Sequence, residues 1–496
     1  MTNPTASTLQ GVIEGSSLTG CSRFAGIPYA APPIGPLRFR PPAPPLAFDG
    51  VRPARDFGPR APQAPSELDA MLSSGSMGAW SEADCLTLNV WTPSCDDHKR
   101  PVMFFIHGGS YLFGESSTPI YDGSRFAADH DLVVVSCNYR LGVLGFTHVA
   151  KLAGADFEGS GVAGILDAQA ALRWVRANIA GFGGDADNVT IFGESAGATS
   201  VGVLLAMPSA RGLFRRAILQ SGAMSSCTDE TAAARTTAEL CDAVGCAHDL
   251  RALQAVPVED LLVAQYRLLP DHVEDASIAA PVVDGNVLPM LPIDAVAKGS
   301  AAGVEILVGT NLDEWRIFSF TDPAFIGLDE EVLEARVARR YPGDAARAIE
   351  VYRRRLSEPT AARVLESVTC DRVFRAPALA LAEGHFRAGG AVWMYLLTWA
   401  STSFGGGLGA AHTVDLPIVF NTVDAPAMNL LLGEELPREL ASAVNATWAA
   451  FARHGDPGRG ALGPWPSYDL AARRTMVIDE PCRIVEDPLA DERALW

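Results

Sequence analysis

The sequence predicts an α/β fold: a mostly parallel central sheet flanked by helices. Two observations carry that expectation. Short apolar runs bounded by glycine recur from residue 102 onward, and amphipathic stretches at helical spacing lie between them. A parallel sheet covered on both faces hides both sides of each strand, so its strands read as unbroken apolar runs. The runs are 102–106, 132–136, 189–192, 217–219, 306–308 and 392–397. The clearest helix between them covers 163–179, with Ile165, Leu166, Leu172, Val175 and Ile179 recurring along it. A second helix, 437–454, comes near the C-terminus.

Proline pairs at 32–33, 41–42 and 44–45 rule out long helices in the first hundred residues, which read as an irregular opening segment. The stretches 228–269 and 328–386 are helical in pattern and lack strong strands, so they are expected to be insertions over one end of the sheet. No internal repeat or low-complexity tract interrupts the chain. Residues 1–496 therefore read as a single domain.

Composition narrows the partners. With 39 Lys and Arg against 58 Asp and Glu, the formal net charge is -19, which repels nucleic acid and anionic membranes over most of the surface. The N-terminus lacks a basic start and an apolar core, and no run approaches the roughly 18 apolar residues of a membrane span. Nine cysteines, an odd number spread thinly, do not form a disulfide framework. The expectation is a cytoplasmic protein. Two glycosylation-type triplets, at Asn188 and Asn445, are then chance matches.

The chemistry concentrates at Gly193-Glu194-Ser195-Ala196-Gly197, which follows the run 189–192 directly and precedes a helical stretch, 198–205. That is the context of a nucleophile elbow: the serine occupies a strained turn, and glycines two residues away on either side admit neighbouring backbone. A serine hydroxyl needs a base to take its proton and an acid to orient the base. It also needs amide donors for the oxyanion. His107-Gly108-Gly109-Ser110-Tyr111, after the run 102–106, has the small residues that let amides point into a site; His107 itself reads as structural. His412 lies in a glycine-rich loop after the run 392–397, whereas His385 sits in a helical run. Both Asp313 and Glu314 follow the run 306–308, and chemistry alone does not choose between them.

Further segments, spanning nearly the whole chain, resemble the type-B carboxylesterase family. They include Phe24-Ala25-Gly26-Ile27-Pro28-Tyr29-Ala30, Asp84-Cys85-Leu86-Thr87-Leu88-Asn89-Val90-Trp91, Asn138-Tyr139-Arg140-Leu141-Gly142, Gln220-Ser221-Gly222, Gly309-Thr310-Asn311-Leu312-Asp313-Glu314 and Gly409-Ala410-Ala411-His412. The resemblance implies an α/β-hydrolase fold with helical insertions over the active site, and a serine carboxylesterase acting on small-molecule esters through an acyl-enzyme. It maps the triad to Ser195, Glu314 and His412, with His412 neutral near pH 7. It places the oxyanion donors at the amides of Gly109, Ser110 and Ala196. Ser221 and Glu194 would support the triad, and Arg140 with Asp167 would form a structural ion pair. No metal or organic cofactor is required. Two departures stand out: Ser110 replaces the commoner glycine, which puts substrate range in question, and Ala61 stands where secreted relatives pair a cysteine with Cys85. Cys246 likewise lacks a partner near Gln254.

Rival readings are weaker. Hydrolysis of an amide or carbamate uses the same acyl-enzyme route, and a non-catalytic binding homologue is opposed by the intact serine, acid and histidine. Gly159-Ser160-Gly161-Val162-Ala163-Gly164, with Asp185 further on, matches a dinucleotide fingerprint, but 151–158 is no buried strand to feed it. Cys241, Cys246 and His248 have poor spacing for zinc. Trp80 reads as packing rather than as a cation site.

Overall fold

An eleven-stranded sheet organises the computed structural model, which describes residues 3–66, 69–70, 78–222, 227–272, 278–320, 322, 325–426 and 428–496. Its strands are β1 (Ser16–Ser17), β2 (Ser22–Pro28), β3 (Thr87–Thr92), β4 (Arg100–Ile106), β5 (Val133–Cys137), β6 (Gly184–Glu194), β7 (Arg216–Gln220), β8 (Glu305–Asn311), β9 (Val392–Leu397), β10 (Arg474–Ile478) and β11 (Arg483–Glu486). In space they run β11-β10-β9-β8-β7-β6-β4-β5-β3-β2-β1. Every pairing from β5 to β10 is parallel, and the flanking pairs are antiparallel. All six apolar runs are parallel strands of this sheet. The proline-rich opening segment is more ordered than its sequence suggests, since it supplies the edge strands β1 to β3. β10, which opens on two arginine-flanked polar positions, carries no clear apolar signature of its own.

Why the runs are unbroken is visible in the packing. Along β4, Val102, Phe104 and Ile106 enter one core while Met103 and Phe105 enter the other; β5 and β8 divide in the same way. Each strand is thus apolar on both sides. Helix α1 (Ala163–Asn178) packs in the first core, and α2 (Ala196–Ala206), buried at every residue, connects the elbow to it. The stretch 228–269 forms α3 (Glu230–Val244), α4 (Leu250–Ala255) and α5 (Val258–Leu268). The stretch 328–386 is helical from Glu330 onward and carries a third apolar cluster around Leu333, Val337, Tyr352 and Leu365. Among the described residues, no helix is long and apolar enough to cross a membrane.

One buried ion pair ties the turn after β5 to α1. Arg140 Nε and Nη2 donate to the two carboxylate oxygens of Asp167 at 2.7 Å each, and the Arg140 amide donates to Oδ2 at 3.1 Å. Asp167 is fully buried. Removing one member of such a pair leaves an uncompensated charge in a dry site. Asp167→Ala is therefore expected to cost about 3–5 kcal/mol of stability, read as a lower urea midpoint at unchanged slope; a midpoint within error of the parent would refute this role.

Candidate active site

β4 and β6 are adjacent and parallel, with Ile106 opposite Gly193, so the loops that follow them meet at the carboxyl edge of the sheet. Ser195 caps α2 with φ 57° and ψ -125°, a conformation that costs a non-glycine residue energy and persists only where its surroundings enforce it. The enforcement is local. The Ser195 amide donates to Gln220 O of β7 at 2.9 Å. A Cβ on Gly193 would stand 2.5 Å from the Gly197 carbonyl carbon, and one on Gly197 would strike Ile106 O. Both glycines are therefore required by close backbone approach.

The loop after β4 faces the elbow. A Cβ on Gly108 would lie 2.9 Å from Glu194 O and 3.1 Å from Ser195 Cβ, and Gly109 adopts φ 106°. Ser110 and Tyr111 also have positive φ, which turns the chain so that the Gly109 carbonyl accepts from the amides of Leu112 and Phe113. The amides of Gly109, Ser110 and Ala196 donate to no other group among the described residues. Gly109, Ser110 and Ser195 line one pocket of about 430 Å³, together with Glu194, Phe318 and His412. The Ser110 side chain is exposed on its wall.

β8 and β9 deliver the remaining pair. Glu314, three residues past β8, is fully buried; its Oε1 accepts the Asn311 amide at 2.7 Å and its Oε2 lies 2.6 Å from His412 Nδ1. Asp313 points elsewhere: Oδ2 accepts the Ala410 amide at 3.1 Å and Oδ1 pairs with Arg316 at 2.9 Å. The ambiguity between neighbouring carboxylates is thus resolved by direction. The imidazole of His412 packs between the rings of Phe374 and Phe318, with centroids 4.8 and 5.3 Å away.

Nε2 of His412 lies 3.1 Å from Glu194 Oε1, with neither atom in a good hydrogen bond. Burial works against an imidazolium, but the Glu194 charge and the Glu314 hydrogen bond outweigh it and raise the His412 pKa to about 9. Burial likewise raises Glu194 to about 8, opposed by His412 and reinforced by Asp415 and Glu314. Asp415 is itself buried and pushed upward by burial; it accepts from Gln220 Nε2 at 2.7 Å and from Asn311 Nδ2 at 3.2 Å. Asn311 Nδ2 also donates to Ala411 O at 2.8 Å, so this residue joins the acid-bearing loop to the histidine-bearing one. Two carboxylates thus face the two ring nitrogens of His412, Glu314 at Nδ1 and Glu194 at Nε2.

The buried hydroxyl of Ser221 makes no hydrogen bond among the described residues; its amide, which donates to Gly309 O at 2.9 Å, anchors the turn after β7. His107 stacks on Tyr139 with Nδ1 2.8 Å from Gly108 O, and burial lowers its pKa to about 4. His385 Nε2 meets Val304 O at 3.0 Å. Short helical turns, Ala150–Ala153 and Ala155–Phe157, precede Gly159, so no strand aims the following helix at a pyrophosphate. His248 Nε2 lies 3.1 Å from Asp242 Oδ1, and among the described residues no group of three or more His, Cys, Asp or Glu side chains is arranged to hold a metal ion. Sequence reasoning missed Phe318, Phe374 and Asp415. Only Asp415, three residues after His412, offered a signal, as a charged residue in an apolar run.

A parallel sheet, a serine at a strained strand-to-helix turn and a buried acid–histidine pair at the same carboxyl edge define an α/β hydrolase. The chain belongs to the carboxylesterase family, whose model matches residues 2–496. It is 36% identical to the para-nitrobenzyl esterase of Bacillus subtilis (strain 168), over 99% of this chain and 98% of that protein. It is also 34% identical to the phenmedipham hydrolase of Pseudarthrobacter oxydans, over 98% and 97%. The crystal structure of the Geobacillus stearothermophilus carboxylesterase EST55 superposes with a TM-score of 0.90 at 40% identity, covering 99% of each chain. The protein is accordingly a carboxylic ester hydrolase.

The geometry of the two carboxylates yields a direct comparison. Glu314→Gln should lower kcat for p-nitrophenyl acetate by roughly 10³–10⁴-fold, since a misdirected base loses its tautomer and its counter-charge. Asp313→Asn should stay within several-fold of the parent. Equal losses in the two variants would reject the assignment.

Proposed function

We propose that Ser195 is the nucleophile of this ester hydrolase, His412 its general base and acid, and Glu314 the group that orients His412. The observation that carries the reading is the 2.6 Å contact between His412 Nδ1 and Glu314 in a pocket that also holds Ser195 and unpaired amides. His412 Nε2 takes the proton of the Ser195 hydroxyl as Oγ bonds to the ester carbonyl carbon. The carbonyl oxygen becomes an oxyanion facing the N–H groups of Gly109, Ser110 and Ala196. Collapse breaks the carbon–alkoxide bond, and the imidazolium proton leaves with the alcohol. Water then repeats the sequence: it gives its proton to Nε2, its oxygen attacks the acyl carbon, and the Ser195 Oγ–carbon bond breaks as Oγ regains a proton. Every step is supplied by the chain's own residues.

Glu194 Oε1 lies 3.1 Å from Nε2, so this contact must yield before attack. Ser110 borders the pocket and bears on which acyl and alcohol groups enter. The substrates on this reading are small carboxylic esters. Residues 328–386 roof the site as part of a single catalytic domain, a role supported by Phe374 lying against His412. A cytoplasmic setting suits nine cysteines that are all unpaired.

Ser195→Ala should abolish p-nitrophenyl acetate hydrolysis, a loss on the order of 10⁴-fold or more, and abolish covalent labelling by an organophosphate. Its circular dichroism should match the parent. Labelling that persisted at another residue would overturn the assignment.

The acidity of His412 makes a second prediction. The base must be neutral, and a pKa raised to about 9 means that its neutral fraction grows as pH climbs from 7 through 9. Activity should rise over that window. Glu194→Gln removes the nearest charge stabilising the imidazolium, so the rising limb should move to lower pH. An unmoved limb would show that Glu194 does not set it.

A further inference from the structure

Two free cysteines meet at the C-terminus of α3, outside the catalytic pocket. Cys241 lies in the last turn of the helix and Cys246 is the second residue past its end. The Cys246 amide donates to Cys241 O at 3.0 Å, and the Gly245 amide donates to Asp242 O at 3.2 Å. These are the paired bonds that close a helix on a left-handed residue, here Gly245 with φ 68°. Such a turn folds the residue after the glycine back onto the helix, where the two facing side chains are commonly apolar. Here both are thiols.

Covalent geometry fixes how far apart they are. Standard bond lengths on either side of a 3.0 Å N–H···O contact keep the two Cα atoms within roughly 7 Å, the reach of a disulfide. The side chains interact as well: burial raises the Cys241 pKa, and a hydrogen bond with the Cys246 thiol raises it further. Other contacts hold the turn closed. Ala247 and His248 both have positive φ, 51° and 57°, uncommon for residues with a Cβ, and His248 Nε2 returns to within 3.1 Å of Asp242 Oδ1. The Asp249 amide donates to Cys246 O at 2.9 Å, and the Asp249 carboxylate caps α4 through the Ala252 amide. Cys241 is wholly buried in the core that also holds Leu240 and Leu253, whereas Cys246 is 5% exposed between exposed Gly245 and Ala247. Cys246 is thus the thiol that a reagent reaches first, with Cys241 directly beneath it.

We propose that Cys241 and Cys246 are a modification site, forming a reversible disulfide on reaction with a low-molecular-weight disulfide such as oxidised glutathione. The Cys246 thiolate attacks one sulfur of the oxidant, a Cys246–glutathione disulfide forms, and the departing glutathione thiolate takes up the proton that Cys246 lost. Cys241 then gives up its proton and attacks the Cys246 sulfur; the Sγ–Sγ bond forms and the second glutathione leaves as a thiol. Two protein thiols are oxidised and one small disulfide is reduced. The partner of Cys246 is the helix that precedes it rather than the region of Gln254, where this chain has no cysteine. Only residues 241–246 are enclosed, so the bond fastens the turn between α3 and α4 and leaves the sheet unchanged.

The sequence makes the test direct. Trypsin cleavage after Arg235 and Arg251 releases residues 236–251, which hold both cysteines and no other cleavage site. The full chain, freshly reduced, is treated with oxidised glutathione in the absence of denaturant, then unfolded in urea with iodoacetamide and digested. The peptide should be lighter by two hydrogen atoms and refuse alkylation, and dithiothreitol should restore both alkylation sites. Cys241→Ser should instead leave glutathione on Cys246, and Cys246→Ser should leave the peptide unoxidised; the parent result stands without either variant. A parent peptide that keeps both thiols, one that retains glutathione on Cys246, or a bond from either residue to a different cysteine would overturn the proposal. Esterase activity is not the readout, so the outcome is independent of the role of Ser195.

Discussion

The whole site depends on how closely the backbones at the ends of β4 and β6 approach. Ile106 O sits where a side chain on Gly197 would be, and Gly193 faces the Gly197 carbonyl at a separation that excludes any Cβ. That contact forces Ser195 into positive φ and presents its hydroxyl outward from the start of α2. It also brings Gly108 against Glu194, which aligns the amide-rich loop with the elbow. Strain at one residue is sustained because a fully buried helix and three neighbouring strands oppose its relaxation.

Electrostatics adds a second constraint. Glu194, Glu314 and Asp415 are all nearly or wholly inaccessible, and His412 is placed among them. Burial drives Glu194 and Asp415 upward, and the nearby Glu194 and the Glu314 hydrogen bond raise His412. Hydrogen bonds from Gln220, Asn311 and the Asn311 amide apportion what charge remains. Glu314 bonds one ring nitrogen of His412, and Glu194 faces the other at 3.1 Å.

Two features with a familiar look acquire different meanings in three dimensions. The glycine run at 159–164 has the spacing of a phosphate cradle, yet helical turns precede it and its middle glycine, Gly161, faces Val282 and His148. Asn445 fits a glycosylation triplet but is buried, donating to Val419 O at 2.7 Å and meeting His130 through its carbonyl oxygen. Spacing alone cannot distinguish these cases, because the same residues serve packing or chemistry according to what stands opposite them.

Sequence by itself determined the parts whose physics is local. Six apolar runs identified parallel strands because burial on both faces leaves no polar position, and the elbow was legible because strand, strained turn and helix are contiguous. The expectation of a serine, an acid and a histidine in that order came from the family resemblance instead. Tertiary structure decided what depends on direction. Asp313 and Glu314 are chemically interchangeable neighbours, and only the turn after β8 sends one toward His412 and the other toward Arg316. Glu194 at Nε2, Asp415 behind Asn311 and Phe374 against the imidazole come from segments distant in sequence. No periodicity announces such contacts, since they exist only once the sheet has brought the loop ends together.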